Sequence, residues 1–449
     1  MPRLHLRRTA ALAASASLCL GLTVTGLAAG AARSPLVPQP PGVTAHSITI
    51  GATVPLTGIA STGYNEVAKA ANAVFRYVDT KGGVNGRLVH YVLKDDCYGT
   101  PGFGCTGTPN TVSQTQALLS LPVFATVGSL GTPTQDSVRN LLKAHGVPQL
   151  FVNSGSSDWN NPTTYPALFG WQPSYVVESK ILAKFIKHKW PGQKVCFLGQ
   201  NDDFGKNGLN GLKYEGVVPA IQQLYSVGSL VVGGGAYFTP LIKAEQSASC
   251  KVVFLDTIPA ATAAALGNAA ALGFHPNWVI SGVGADPVTV KKVSGGTVTD
   301  VNAFTFGYLP ASTQVTSWHS WMYRVLEADH VDFPGFKAST PLDGNMEYGI
   351  GFGVSFVEAL KAAGKNFSRG SFLKTLLTTS FNTSAVVPLQ YANANHQGLQ
   401  GGFVAMIKSA TQTEVYPPGT VYTTTSAKLS PIVVTRAVSS GIPSWLLPG

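Results

Sequence analysis

The stretch "DTKGGVNGR", residues 79–87, separates two runs of different periodicity. Before it, Val67, Ala70, Val74, Tyr77 and Val78 recur at helical spacing across 66–80. After it, "LVHYVL" (88–93) is a short apolar run of strand character. Lys81 suits the negative end of a helix dipole. Gly82 can take the left-handed cap that a Cβ resists, and "GVNG" turns the chain into the next strand. With "SITIGATV" (47–54) upstream, the segment reads as one strand–helix–strand unit.

The alternation continues outward from this unit. Candidate strands are "VFATV" (123–127), "PQLFV" (148–152), "KVCFLG" (194–199), "KVVFLD" (251–256) and "NWVISG" (277–282). Candidate helices cover 112–120, 135–144, 177–189, 208–223, 237–247 and 260–272. Such an order predicts an α/β fold of parallel sheets with helices on both faces. With 449 residues the chain is long enough for two such domains. The candidate strands run into "PLTGIASTGY", "KDDCYG", "GSLGTPTQD", "NSGSSDW", "GQNDDFG", "DTIPA" and "GVGADP". These segments are small, polar and Gly-rich, and ligands of open α/β sheets bind outside the carboxyl ends of the strands. Backbone N–H groups at the following helix starts suit an anionic group.

The first 31 residues have a basic start, Arg3, Arg7 and Arg8, an apolar run from about Ala10 to Leu27, and small residues at Ala29-Gly30-Ala31. They read as an export signal. Cys19 follows Leu18, where a lipid-attachment cysteine calls for a small residue, so the chain does not read as a lipoprotein. The formal charge of +10 drops to about +7 without the three arginines of the signal. The remaining Lys and Arg are scattered and form no stripe with aromatics, which argues against a nucleic-acid partner. In an oxidising compartment, Cys97 and Cys105, which flank "YGTPGFG", are expected to form a disulfide. Cys196 and Cys250 lie in or beside candidate strands and are open to either pairing or burial as thiols.

No catalytic constellation stands out. The sequence lacks G-x-S-x-G, H-E-x-x-H and the Gly-rich phosphate loop that ends in Gly-Lys-Ser/Thr. Its nine histidines are dispersed. Asp95-Asp96 and Asp202-Asp203 are adjacent pairs, whereas acid/base work needs carboxyls opposed across a substrate. No metal site and no cofactor is expected.

The segment "SITIGATVPLTGIASTGYNEVAKAANAVFRYVDTKGGVNGRLVHYVLKDD" resembles the opening of the leucine/isoleucine/valine-binding proteins. These are receptors of the type I periplasmic-binding-protein fold that serve ABC importers. "VGSLGTPTQ" (127–135), "FVNSGSS" (151–157), "LGQNDDFGKNGLNGLK" (198–213) and "VVFLDTIPAAT" (252–262) extend the resemblance over roughly 47–410. It implies two doubly wound lobes joined by a three-segment hinge, with crossings near 167–173, 302–310 and 386–392. Lobe 1 is expected over 45–170 and 308–386, lobe 2 over 171–307 and 387–410, and an extension over 411–449 that wraps the surface or is disordered.

The resemblance also implies a ligand site. Thr132 and Gly155, Ser156 and Ser157 match the lobe 1 loops that hold a ligand carboxylate. Tyr64 matches an aromatic that reaches the cleft, and Trp159 and Trp171 are candidates for stacking. Lobe 2 offers Phe204, where the family carries Tyr, and Thr257. The family places a Glu for the ligand ammonium just after the strand matching "WVISG"; here that place holds Val283. A buried ammonium without a carboxylate is costly, so either Asp286 or Asp256 replaces it or the ligand is not an α-amino acid.

The expected function is therefore that of an extracytoplasmic solute-binding protein of an ABC importer. The solute is a small carboxylate-bearing molecule: branched-chain amino acid-like, an amide or an aromatic acid. The expected partner is a membrane permease, and the protein is expected to be a monomer and not an enzyme. The alternative is an extracellular sensor of the same fold that signals through a membrane partner.

Overall fold

The computed structural model describes residues 39–99, 105, 107, 110–298, 303–314, 316–381, 383–438 and 441–447. The expected export signal lies outside these residues. A first sheet contains β1 (Ser47–Val54), β2 (Leu88–Asp95), β3 (Thr126–Val127), β4 (Gln149–Val152) and β5 (Leu168–Gly170). Its strands run parallel in the order β2-β1-β3-β4-β5. The opening unit forms as its pattern dictates. Helix α1 (Ser61–Asp79) buries Val67, Ala70, Val74 and Val78. Gly82 and Gly83 take φ of +90° and +75° beyond its end, and Gly83 N–H returns to the Val78 carbonyl at 3.1 Å. Arg87 closes this turn through its backbone, accepting from Val84 N–H at 2.8 Å, while its guanidinium donates to the carbonyls of Thr44 at 2.6 Å and Lys365 at 2.7 Å.

The first sheet is completed by α2 (Thr111–Leu119), α3 (Thr132–Asp136) and α4 (Arg139–Ala144). The single helix expected over 135–144 is split in two at Ser137 and Val138. A second sheet follows α5 (Tyr175–Lys189) and contains β6 (Val195–Gln200), β7 (Ile221–Tyr225), β8 (Val252–Asp256), β9 (Asn277–Ile280) and β10 (Ala303–Gly307). These strands are parallel in the order β7-β6-β8-β9-β10. They alternate with α6 (Asp203–Tyr214), α7 (Val227–Gly233), α8 (Thr239–Ser247), α9 (Pro259–Ala271) and α10 (Pro287–Val293). The helix expected over 208–223 ends early because Gly216 takes φ +75°, and β7 uses the rest of the segment.

Helices α11 (Ser317–Ala328), α12 (Gly344–Ala363) and α13 (Arg369–Thr378) return to the first sheet, where α12 packs along α1. A short pair, β11 (Ser380–Phe381) and β12 (Leu389–Gln390), precedes β13 (Gly401–Ser409), which joins β10 antiparallel in the second sheet. The chain thus passes between the two sheets after β5, after β10 and after β12. Two of these crossings are bonded together: Leu399 N–H donates to the Trp171 carbonyl at 3.0 Å and Gly170 N–H to the His396 carbonyl at 3.0 Å. The Trp171 indole anchors the hinge by donating to Ser355 Oγ at 2.9 Å.

The described residues after 411 are part of the fold. β14 (Gln412–Val415), β15 (Val421–Thr423) and β16 (Val433–Thr435) extend the second sheet. Lys180 of α5, fully buried, donates there to Thr424 Oγ1 at 2.9 Å and to the carbonyls of Ser430 at 2.8 Å and Ala427 at 3.0 Å. Farther along, Trp445 donates to Glu358 at 2.8 Å, and the Trp321 indole donates to the Leu446 carbonyl at 3.2 Å. Disulfides join Cys97 to Cys105 and Cys196 of β6 to Cys250, just before β8. Among the described residues, no helix is long and apolar enough to cross a membrane.

Candidate functional site

The carboxyl ends of the two sheets face one another, and side chains from both meet between them. Lys292 of α10 pairs with Glu66 of α1 at 2.7 Å. Asp286 caps α10 and also accepts from Gly344 N–H, at the start of α12, at 3.1 Å. Ser157 N–H, beyond β4, donates to Asn207 Oδ1 of α6 at 2.9 Å.

The carboxylate loops inferred from the sequence come together. Thr132 opens α3 and its Oγ1 lies 2.7 Å from Ser154 Oγ. Ser156 N–H donates to the same Ser154 oxygen at 3.2 Å. Gly155 is needed here for room: a Cβ would lie 2.7 Å from the Tyr175 ring and 2.9 Å from the Pro173 carbonyl. The Tyr175 hydroxyl, carried by the first turn of α5, lies 3.4 Å from both Thr132 Oγ1 and Ser154 Oγ. Its ring packs on Phe204 of α6 at 4.4 Å between centroids. This side of the cleft therefore satisfies its own polar groups, with Tyr175 and Asn207 seated against the loop donors.

Toward the hinge lies a cavity of about 150 Å³. Tyr64 reaches it from α1, Val283 from the loop after β9, and Tyr308 and Tyr348 from the second crossing and α12. Its polar groups differ from those at Thr132. The hydroxyls of Tyr64, Tyr348 and Thr305 are buried and have no hydrogen-bond partner in the protein. Glu178, in the first turn of α5, accepts from Gly282 N–H at 2.7 Å. Burial pushes its carboxyl up to about 7. Glu347 lies 3.4 Å from His319 Nε2, and burial raises its carboxyl above the usual range against the pull of that imidazole.

Of the residues inferred from the sequence, Tyr64 and Val283 line this cavity. Thr132, Gly155, Ser156, Ser157 and Phe204 gather around Tyr175 and Asn207. Thr257 is buried and bonded to Thr262, 2.6 Å between hydroxyl oxygens. Trp159 fills a small core with Val152, Tyr165 and Leu168 instead of offering a stacking face to the cavity. Trp171 packs edge-on against Tyr348 at 5.0 Å. Asp286, considered as a replacement for the missing Glu, lines the cavity but spends both oxygens on helix-start N–H groups. Asp256 is fully buried and held well above the usual carboxylate range by desolvation and by Glu178. Sequence reading missed Tyr175, Glu178, Asn207, Tyr308 and Tyr348. "PSYVVESK" (173–180) carried one available signal, a polar Glu in an otherwise buried helix start.

Comparison with known proteins agrees with this architecture. The fatty acid ABC transporter substrate-binding protein of Thermomonospora curvata shares 18% identity at a TM-score of 0.67, covering 84% of this chain and 93% of its own. The branched-chain amino acid transporter substrate-binding protein LivJ of Streptococcus pneumoniae, in complex with isoleucine, shares 14% at 0.66, covering 87% and 100%. A solute-binding protein of an ABC transporter from Rhodopseudomonas palustris, in complex with 3,4-dihydroxybenzoic acid, shares 15% at 0.63, covering 83% and 96%. No significant match was found among curated proteins. The periplasmic binding protein family matches residues 47–412. With most of its length matched and two parallel α/β lobes facing across a three-crossing hinge, the chain belongs to the periplasmic binding protein family.

Proposed function

We propose that this chain is an exported solute-binding protein that delivers a small organic solute to an ABC permease, working as a monomer outside the cytoplasm and without catalysing a reaction. The observation that carries this reading is the cavity where Tyr64 and Val283, from opposite lobes, frame a space for a ligand. The lobes divide at 45–170 with 308–386 and 171–307 with 387–410, and the described residues of the 411–449 extension brace them. Binding energy then favours the arrangement in which both lobes contact the solute, which is the form a permease recognises.

The solute bears a carboxylate, and its relatives bind a branched-chain amino acid and an aromatic acid. Thr132, Ser154 and the N–H groups at Ser156 and Ser157 are suitable donors for it. The Tyr175 hydroxyl and the Asn207 amide oxygen stand where carboxylate oxygens would be received. A solute carboxylate takes over those positions as α5 and α6 draw back. The test is a screen of the chain from Ala32, unfolded and refolded to strip carried-over ligand, by tryptophan fluorescence and thermal shift. Amino acids, amides, aromatic acids and short carboxylates form the panel. Saturable binding without turnover of the solute is expected. A folded protein that responds to none of them contradicts the reading.

A further inference from the structure

Beyond residue 412, where the family match ends, the described residues run from one lobe to the other. The first part lies on lobe 2. β15 pairs with β13, and β16 pairs with β15. Ser426 Oγ lies 2.7 Å from Ser174 Oγ at the start of α5, and the Lys180 ammonium is caged by Thr424, Ala427 and Ser430. Midway, Val438 N–H donates to the Val386 carbonyl at 2.8 Å, and Val386 N–H donates to the Tyr308 carbonyl at 2.9 Å. The segment thus touches the second and third crossings. The last part, 441–447, lies on lobe 1. There a single 3₁₀ turn, Ser444–Leu446, buries Leu446. The Trp445 indole donates to Glu358 of α12 at 2.8 Å, and Lys361 Nζ sits 4.0 Å from the centre of its ring. The Trp321 indole of α11 donates to the Leu446 carbonyl at 3.2 Å.

The two ends are held unequally. On lobe 2 the segment has a strand ladder and a fully buried ammonium fixed to it. On lobe 1 it has one buried leucine and two indole hydrogen bonds, and an open cavity of about 400 Å³ stays between the turn and α12 and β11. Parting of the lobes turns them about the crossings and changes the separation of the two seats. A tether seated at both ends keeps its two anchor surfaces at high effective concentration, so it opposes that change. When the lobes do part, the weaker end yields first. Resting on the two-lobe, solute-binding reading, we propose that 421–447 is a strap, a fourth connection that holds the solute-free protein toward the arrangement described and unseats from α11 and α12 as the lobes open. Such a strap leaves less of the closure for the solute to drive, which raises apparent affinity.

Small-angle X-ray scattering on refolded, solute-free protein reads the separation of the lobes. Two variants release the strap in different ways. Trp445→Ala removes most of the seat on lobe 1. Insertion of about eight Gly/Ser residues after Val438 keeps every seat and only lengthens the tether. Each is expected to raise the radius of gyration by about 1 Å over the parent, a shift that lobe opening produces in a compact chain of this size. Trp445→Phe, which keeps a ring on the seat, is expected to raise it by less. Variants that are folded by circular dichroism and match the parent in radius overturn the strap. Expansion in Trp445→Ala without expansion in the insertion variant also overturns it, because the turn then acts through the packing of lobe 1 and not as a tether. If Trp445→Ala does not fold, the insertion variant decides alone. The comparison uses no solute, so its failure is separate from a failure of the solute screen.

Discussion

Two charged residues on one helix show how differently this protein treats buried polarity. Lys180 and Glu178 are two positions apart on α5, and both are buried. Lys180 sits in a cage of acceptors from residues 424–430. Glu178 lines a cavity, where it is bonded by Gly282 N–H and the Ser281 hydroxyl without a cation among the described residues, and three unpartnered hydroxyls share that lining. The same contrast divides the cleft. Around Thr132, Ser154 and Tyr175 the polar groups satisfy each other; around Tyr64, Tyr348 and Thr305 they do not. Satisfied groups cost little while the cleft is empty and exchange one partner for another when a solute arrives, whereas unsatisfied ones in a small cavity gain a partner only then.

The contrast breaks most visibly under substitution. Lys180→Ala leaves its acceptors without a donor and opens a cavity, so a loss of about 2–4 kcal/mol is expected from urea unfolding. A near-neutral result would mean that the 424–430 segment does not hold the ammonium as described. Gly155→Val forces a side chain into the Tyr175 ring and should cost about 1–3 kcal/mol by the same assay. Unchanged stability would show that Tyr175 is not seated on the loop. Thr132→Val removes one satisfied hydroxyl and should cost about 1 kcal/mol. Tyr64→Phe, on the other side of the contrast, removes an unsatisfied hydroxyl. It should leave stability within about 0.5 kcal/mol of the parent, or raise it, while weakening solute affinity. Equal losses of stability from Thr132→Val and Tyr64→Phe would erase the distinction.

A smaller effect separates the two classes by pH. Burial pushes the carboxyls of Glu178 and Asp96 up to about 7 and that of Glu245 up to about 8. The unfolded chain releases these protons in the ordinary carboxylate range, whereas the native protein keeps them to higher pH. The native state therefore binds more protons between about pH 4.5 and 8, and its stability falls as pH rises through that window. The melting temperature should drop by several degrees from pH 5 to pH 8, with a shallower drop in Glu178→Gln. A melting temperature that rises over this range contradicts the placement of these carboxyls.

The fold was legible where local pattern and turn chemistry agree. The β1–α1–β2 unit is an example, because Val67, Val74 and Val78 mark one helix face and Gly82 and Gly83 take the backbone angles its end requires. β7 was hidden: "IQQLY" carries two Gln on an only half-buried strand, and the run before it continued a helical pattern until Gly216. The C-terminal strands were hidden too, because their order depends on contacts with α5 and β13 far away in sequence. Tyr64 and Val283 could be placed by resemblance. Glu178 could not, because a Glu in the first turn of a helix reads as dipole compensation. Its place in the cavity wall follows from Gly282, 104 positions away, and from a cavity assembled by both lobes.

The most direct test of the account is to fill the hinge-side cavity. Val283→Trp places a large ring where the solute is expected. Titration calorimetry with the tightest solute of the panel is run on this variant and on the parent, with circular dichroism to establish that both are folded. The account predicts saturable binding to the parent and loss of at least about a hundredfold in affinity for the variant. Undiminished binding in a folded Val283→Trp protein would place the solute elsewhere and contradict the assignment of this cavity.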